Sequence, residues 1–171
     1  DRFVADDEGN TGAFVITRND LAKDLSKAPV HVLSNATAVW HRQVSSMADF
    51  TITPAVESGS RAFQEAGLKP SDVDVVQLYD AFSINPILFL EDLGFCKKGE
   101  GGPFVENGGI APGGHLAVNT NGGGLSCVHP NMYGTFEVIE AVRQLRDEAG
   151  ARQVKDAKIA LIHGNGGVSG A

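Results

Sequence analysis

The chain has 171 residues, 42% of them hydrophobic, and a formal net charge of −7. That is enough apolar material for one compact soluble core, and it excludes the disordered, collagen-like and membrane-spanning classes. The acidic balance counts against a nucleic-acid or anionic-lipid surface, because phosphate binding needs clustered Lys and Arg.

In chain order, Ala13 to Thr17 predicts a short buried strand, and Asn19 or Asp20 caps a brief helix through Leu25 that ends before Pro29. Val30 to Leu33 is β-rich, and Ala38 to Thr51 is a loop carrying Trp40, His41 and Met47. Thr53, Pro54 and Glu57 read as a capped helix start, with Val56, Ala62, Phe63 and Ala66 as its stripe and Gly67 as its stop. Val73 to Leu78 predicts a strand that ends at Tyr79-Asp80-Ala81-Phe82-Ser83, and Asn85-Pro86 opens the next helix. Residues 94–124 are glycine-rich and aperiodic. Thr135 to Glu148 is then an amphipathic helix whose buried stripe is expected to be Phe136, Ile139, Val142 and Leu145. After a basic turn at Arg152 and Lys155, the strand Ile159 to Ile162 runs into His163-Gly164-Asn165-Gly166-Gly167. Strands alternating with helices predict an α/β fold with a mixed sheet covered by helices.

The two cysteines, Cys96 and Cys127, have neither zinc-ligand nor disulfide-framework spacing, so a reducing, cytoplasmic compartment is expected. His31, His41 and His115 share no metal-ligand spacing, and the glycine clusters match neither dinucleotide nor P-loop fingerprints. No apolar run reaches the length of a membrane span, and no signal segment opens the chain. A first residue of Asp1 and a last residue just past a glycine loop lead us to expect a fragment of a longer protein.

Three polar clusters, around Tyr79, His129 and His163, fall where a strand or glycine loop meets a turn, and we expect them to converge on one pocket. The loop Gly122-Gly123-Gly124-Leu125-Ser126-Cys127-Val128-His129-Pro130 delivers His129 to a helix mouth, as a general base or an oxyanion donor. The competing reading is a histidine fixed structurally by its Pro turn. Tyr79 is a candidate proton donor or acceptor oriented by Asp80, against a half-buried tyrosine satisfied by water. His163 with Gly164 and Asn165 offers close-approach donors, against a plain glycine turn. A Cys127–His129 nucleophile pair is disfavoured, since neighbours two apart share a side only roughly. The expected catalytic residues are His129, Tyr79 and His163, with Asp80, Gly123, Gly124, Ser126, Gly164 and Asn165 contacting the substrate, and no metal site.

The run Asn119 to Ser126 through His129-Pro130 resembles the glycine-rich His-Pro loop of thiolases, most closely their sterol-carrier and lipid-transfer branch. The likeness extends through Leu145 to Val154 and Ala160 to His163, and more loosely back to Val30. It implies the C-terminal half of a five-layered αβαβα fold, with residues 1–28 ending the N-terminal half and 29–171 forming the C-terminal domain short of its last strand. It also implies that His129 activates a nucleophilic cysteine, for which this sequence has no assignable residue, and helps bind the thioester oxygen.

Two departures from that resemblance matter: Tyr79 stands where the family carries Asn or His, and Ala81 where the sterol-carrier branch carries a cysteine. His163-Gly164 stands where other thiolases carry Cys-x-Gly. The resemblance implies acyl transfer on acyl-CoA thioesters, with coenzyme A as substrate or product, no bound cofactor, a homodimer, and a fragment inactive by itself. Tyr79 also resembles lipid-transfer retro-aldolases that cleave β-hydroxyacyl-CoA beside an OB-fold zinc-ribbon partner, although retention of His129 favours acyl transfer. A third reading is a non-catalytic subunit that contributes a CoA-ester-binding face or an assembly surface.

Overall fold

The computed structural model describes residues 12–41, 43–127 and 133–166. Its regular elements are α1 (Ala55–Ala66), β1 (Val75–Leu78), α2 (Ile84–Asp92), α3 (Gly101–Val105), β2 (Ala117–Val118), α4 (Gly123–Ser126), α5 (Gly134–Leu145) and β3 (Ala160–His163), joined by short 3-10 turns. The strands form a sheet of order β2-β1-β3, and both pairings are parallel. Parallel strands put all their C-terminal ends at one edge, so the segments after Leu78, Val118 and His163 leave the sheet together.

The start and stop signals of α1 lie where expected, but its buried residues are Ala55, Ser58 and Gly59, while Val56 of the expected stripe is exposed and Ala62, Phe63 and Ala66 are half-buried. The Thr53 hydroxyl accepts the Ala55 N–H, and both the hydroxyl and the N–H of Thr53 donate to Asp92 at the end of α2. Gly67 closes the helix at φ 67°, a left-handed cap that glycine takes without strain.

All four residues of β1 are buried, and alternation sends them to two different environments. Val76 and Leu78 pack with Ala55, Phe89, Leu90 and Leu93 of α1 and α2 and its flank. On the other face Gln77 donates to the Thr120 hydroxyl, which donates to Glu140 and accepts from Gln144, both on α5. This corrects the expected buried stripe of α5. Ile139 is buried, but Phe136, Val142 and Leu145 are only half-buried, whereas Glu137, Glu140 and Gln144 are wholly covered. The reason is the partner surface: the sheet presents an amide and a hydroxyl there, and buried polar groups must meet polar groups.

Ala13 to Thr17 and Val30 to Leu33 form no strands, and Ile16 and Val32 are about three-quarters exposed. Their β-propensity finds no neighbouring ladder among the described residues, and without one a strand has no hydrogen-bond partner.

Two residues fix the functional edge. Asn119, at φ 49°, accepts the Leu78 N–H at 2.7 Å and donates to the Leu78 carbonyl at 3.0 Å, substituting for a strand beyond β2. Asn119→Ala leaves two buried backbone groups unpaired and is expected to cost about 1–3 kcal/mol, read as a lower denaturation midpoint at unchanged slope.

His163 lies opposite Leu78 in register, is buried, and packs on the Phe89 ring at 4.2 Å between centroids. Burial pulls its imidazole down to about 4 from the ordinary 6.5. The folded state therefore binds fewer protons, so this contribution to stability is full above pH 6.5 and is lost as pH falls towards 4. Denaturant titrations across that window are expected to show the loss in the native protein and a flatter profile in His163→Leu.

Candidate active site at the strand ends

Beyond β1 the chain continues as Tyr79-Asp80, and the Tyr79 N–H donates to the His163 carbonyl at 3.1 Å, extending the ladder by one bond. Asp80 is buried, with one carboxylate oxygen accepting the Gly124 N–H at 2.6 Å and the other the Leu125 N–H at 3.3 Å. These are free amides of the first turn of α4, which no helical carbonyl reaches. The approach is possible only over glycine. A Cβ on Gly123, at φ 74°, would sit 2.2 Å from Asp80 Oδ2, and one on Gly124 would sit 2.9 Å from Oδ1. Gly123 and Gly124 therefore admit Asp80, and Asp80 holds the glycine loop to the end of β1.

Tyr79 points to the α5 face. Its ring meets Tyr133 edge-on at 5.6 Å, and burial together with the charges of Glu137 and Asp80 raises its phenol above the ordinary value. Tyr133 is fully buried and donates its hydroxyl to Asn121 Oδ1, which also accepts the Gly123 N–H. Glu137, one turn into α5, is fully buried, and neither carboxyl oxygen has a hydrogen-bond partner among the described residues. Burial first, and then the charge of Asp80, push it up to about 9. At neutral pH this edge thus presents two phenols and a neutral carboxylic acid beside one fixed carboxylate.

The predicted residues are brought together unequally. The backbones of Tyr79 and His163 meet, but their side chains take opposite faces, His163 towards Phe89 and Tyr79 towards Tyr133. His129 lies outside the described residues, between Cys127, the residue after α4, and Tyr133, the residue before α5. Ser126 is exposed, and Gly164 is exposed with nothing among the described residues within 4 Å of an added Cβ, so no close approach among them requires that glycine. The Asn165 amide is buried with no partner among the described residues.

Sequence reading missed Asn119, Asn121, Tyr133 and Glu137. One signal was present: Tyr133, Glu137, Ala141 and Gln144 recur at helical spacing, a mixed stripe that only a polar sheet face would bury. Beside Asp80 lies a cavity of about 330 Å³ walled by Ser83, Ile87, Val105, Ile110 and Leu125. A depression of about 450 Å³ is lined by residues of the 19–31 segment alone and has no strand-end residue in it. Among the described residues no three His, Cys, Asp or Glu side chains gather to hold a metal ion, and no helix is long and apolar enough to cross a membrane.

The chain is 40% identical over 160 residues to an acetyl-CoA acetyltransferase of Methanothermobacter thermautotrophicus, covering 92% of this chain and 42% of that protein. It is 44% identical over 116 residues to sterol carrier protein 2 of Bos taurus, covering 67% of this chain and 21% of the relative. Among solved structures it superposes on a chain of an Ltp2-ChsH2(DUF35) aldolase with a TM-score of 0.76 at 29% identity, over 84% of this chain and 38% of that one. The chain thus spans less than half the length of these relatives. The family model described as thiolase C-terminal domain-like matches residues 36–171, and the chain belongs to that family.

Proposed function

We propose that this chain is the C-terminal half of an enzyme acting on acyl-CoA thioesters by thiolase-type acyl transfer, with Tyr79 as the hydrogen-bond donor to the reacting carbonyl or enolate oxygen. The observation that carries it is the Asp80 clamp, which ties the glycine loop leading to His129 to the strand end that bears Tyr79. A phenol raised above its ordinary value is protonated at working pH, which suits donation to a developing oxyanion rather than proton abstraction. His129, by its place in the His-Pro loop, is the base that activates a cysteine on the part of the protein beyond this chain. The cavity beside Asp80, with Ile87, Val105 and Ile110 in its wall, is the candidate seat for acyl carbons. A homodimer and a cytoplasmic setting belong to the same reading.

A second reading is retro-aldol cleavage of a β-hydroxyacyl-CoA, favoured by the structural likeness to the Ltp2-ChsH2(DUF35) aldolase and by the tyrosine at position 79. An OB-fold zinc-ribbon partner would belong to that reading. The two differ in the substrate group that is unmasked and in the need for an acceptor thiol.

Incubating the complete protein with β-keto and β-hydroxy acyl-CoA esters, with and without free coenzyme A, separates them. Acyl transfer predicts CoA-dependent cleavage of the keto ester alone; CoA-independent cleavage of the hydroxy ester would replace it with the aldolase reading. His129→Ala is expected to lower kcat by roughly 10²–10⁴-fold. Tyr79→Phe should lower it by about 10²–10³-fold, the scale of one lost oxyanion donor. Both variants should keep near-native melting temperatures, and near-normal turnover in either would make that residue structural.

A further inference from the structure

Asn121 follows two residues whose side chains are already committed. Asn119 pairs with the Leu78 backbone, and the Thr120 hydroxyl with Gln77, Glu140 and Gln144, so this run is tied to β1 and to α5. The Asn121 side chain serves the loop that comes next. Its Oδ1 accepts the Gly123 N–H at 3.0 Å, at the start of α4, and the Tyr133 hydroxyl at 3.1 Å, at the start of α5. Its carbonyl oxygen lies 3.8 Å from Cys127 Sγ, within reach of a weak thiol donor. Cys127 and Tyr133 are the described residues on either side of residues 128–132, the segment that contains His129. Asn121 therefore touches both ends of that segment.

We propose that Asn121 is a positioning residue for His129: through Cys127 and Tyr133 it staples the beginning of the His-Pro loop to its end and so restricts where the imidazole can stand. The proposal rests on the assignment of His129 as the base. A segment held at both ends has fewer conformations open to it than one held at a single end. A misplacement of about 1 Å in a catalytic group costs on the order of 10²-fold in rate, so the restriction bears on turnover. Asp80 does a different job, since it joins the loop to β1 by the Gly124 and Leu125 amides and does not reach across to Tyr133. An amide oxygen suits the staple: it has two lone pairs for two donors and adds no charge beside the Asp80 carboxylate. Tyr133 is wholly buried, and Asn121 is the partner that satisfies its hydroxyl among the described residues.

The test uses the complete protein, assayed for acyl transfer with a β-keto acyl-CoA ester and free coenzyme A. Tyr133→Phe keeps the ring and its edge-on meeting with Tyr79 and deletes only the bond to Asn121. It should lower kcat by about three- to tenfold, the scale of one net hydrogen bond, with KM unchanged. Asn121→Ala, which removes both Oδ1 bonds, should lower kcat further, by roughly 10–10²-fold, again at unchanged KM. In a His129→Ala background the base is gone, so adding Tyr133→Phe should change the remaining turnover by less than about twofold.

A native kcat in Tyr133→Phe would overturn the proposal, and this variant decides by itself if Asn121→Ala does not fold. So would an equal loss from Tyr133→Phe with and without His129, which would show the bond acting through some other group. Failure of the base assignment is separately visible: His129→Ala would keep its turnover, whereas an inactive His129→Ala beside a fully active Tyr133→Phe sinks the staple alone.

Discussion

The candidate site depends on one carboxylate. Asp80 stands at the point where β1 leaves the sheet and accepts two amides from the start of α4. Charge-assisted bonds of this kind are stronger than neutral ones, and the shorter of the two, from Gly124, is buried. The contact fixes the distance between the strand that bears Tyr79 and the loop that runs on to His129. It also dictates sequence: Gly123 and Gly124 cannot carry a side chain while the carboxylate sits 2.2–2.9 Å from where a Cβ would be. The glycines of this loop therefore serve an internal close approach, and Asn121 completes the clamp by accepting from both Gly123 and Tyr133.

The second constraint is the division of labour between the faces of β1. Its apolar face joins α1 and α2 in the hydrophobic core. Its other face carries Gln77 and Tyr79, and the helix that covers it must offer acids and amides in return. That is why α5 buries Glu140 and Gln144 in a network with Thr120 and Arg152. Arg152 and three hydrogen bonds hold Glu140 below the usual carboxylate range despite its burial. Glu137, three residues earlier, has no such partners among the described residues, and burial drives it the other way. Two glutamates on one helix are thus driven in opposite directions, Glu140 down by its partners and Glu137 up by burial.

The elements with local punctuation were legible in the sequence. Thr53 and Gly67 mark the ends of α1 through contacts within a few residues of themselves. The run from Val75 to Leu78 and the strand before His163 are apolar enough to be read as buried strands. Val30 to Leu33 was not legible, because its propensity is realised only against a neighbour that the described chain does not supply. The stripe on α5 was misread for a related reason: a helix pattern reports which face is apolar, while the sheet beneath it decides which face is buried. At the site, Tyr79 and Asp80 were legible from their place after a strand. The roles of Asp80, Gly123 and Gly124 were not, since a carboxylate 44 residues from the amide it binds leaves no trace in spacing. The side chain of His163 faces Phe89, on the side of the sheet opposite Tyr79, and register with Leu78 is what decides that.

The central claim is that a thioester oxygen docks at the C-terminal edge of β1 and takes a hydrogen bond from Tyr79. A crystal structure of the complete protein with a non-hydrolysable acyl-CoA analogue tests it most directly. The account predicts the analogue's carbonyl oxygen within about 2.5–3.0 Å of Tyr79 Oη, the range for a hydroxyl donor, with the acyl chain in the cavity beside Asp80. An analogue bound with its carbonyl away from that edge, or with Tyr79 turned from it and the cavity empty, would contradict it.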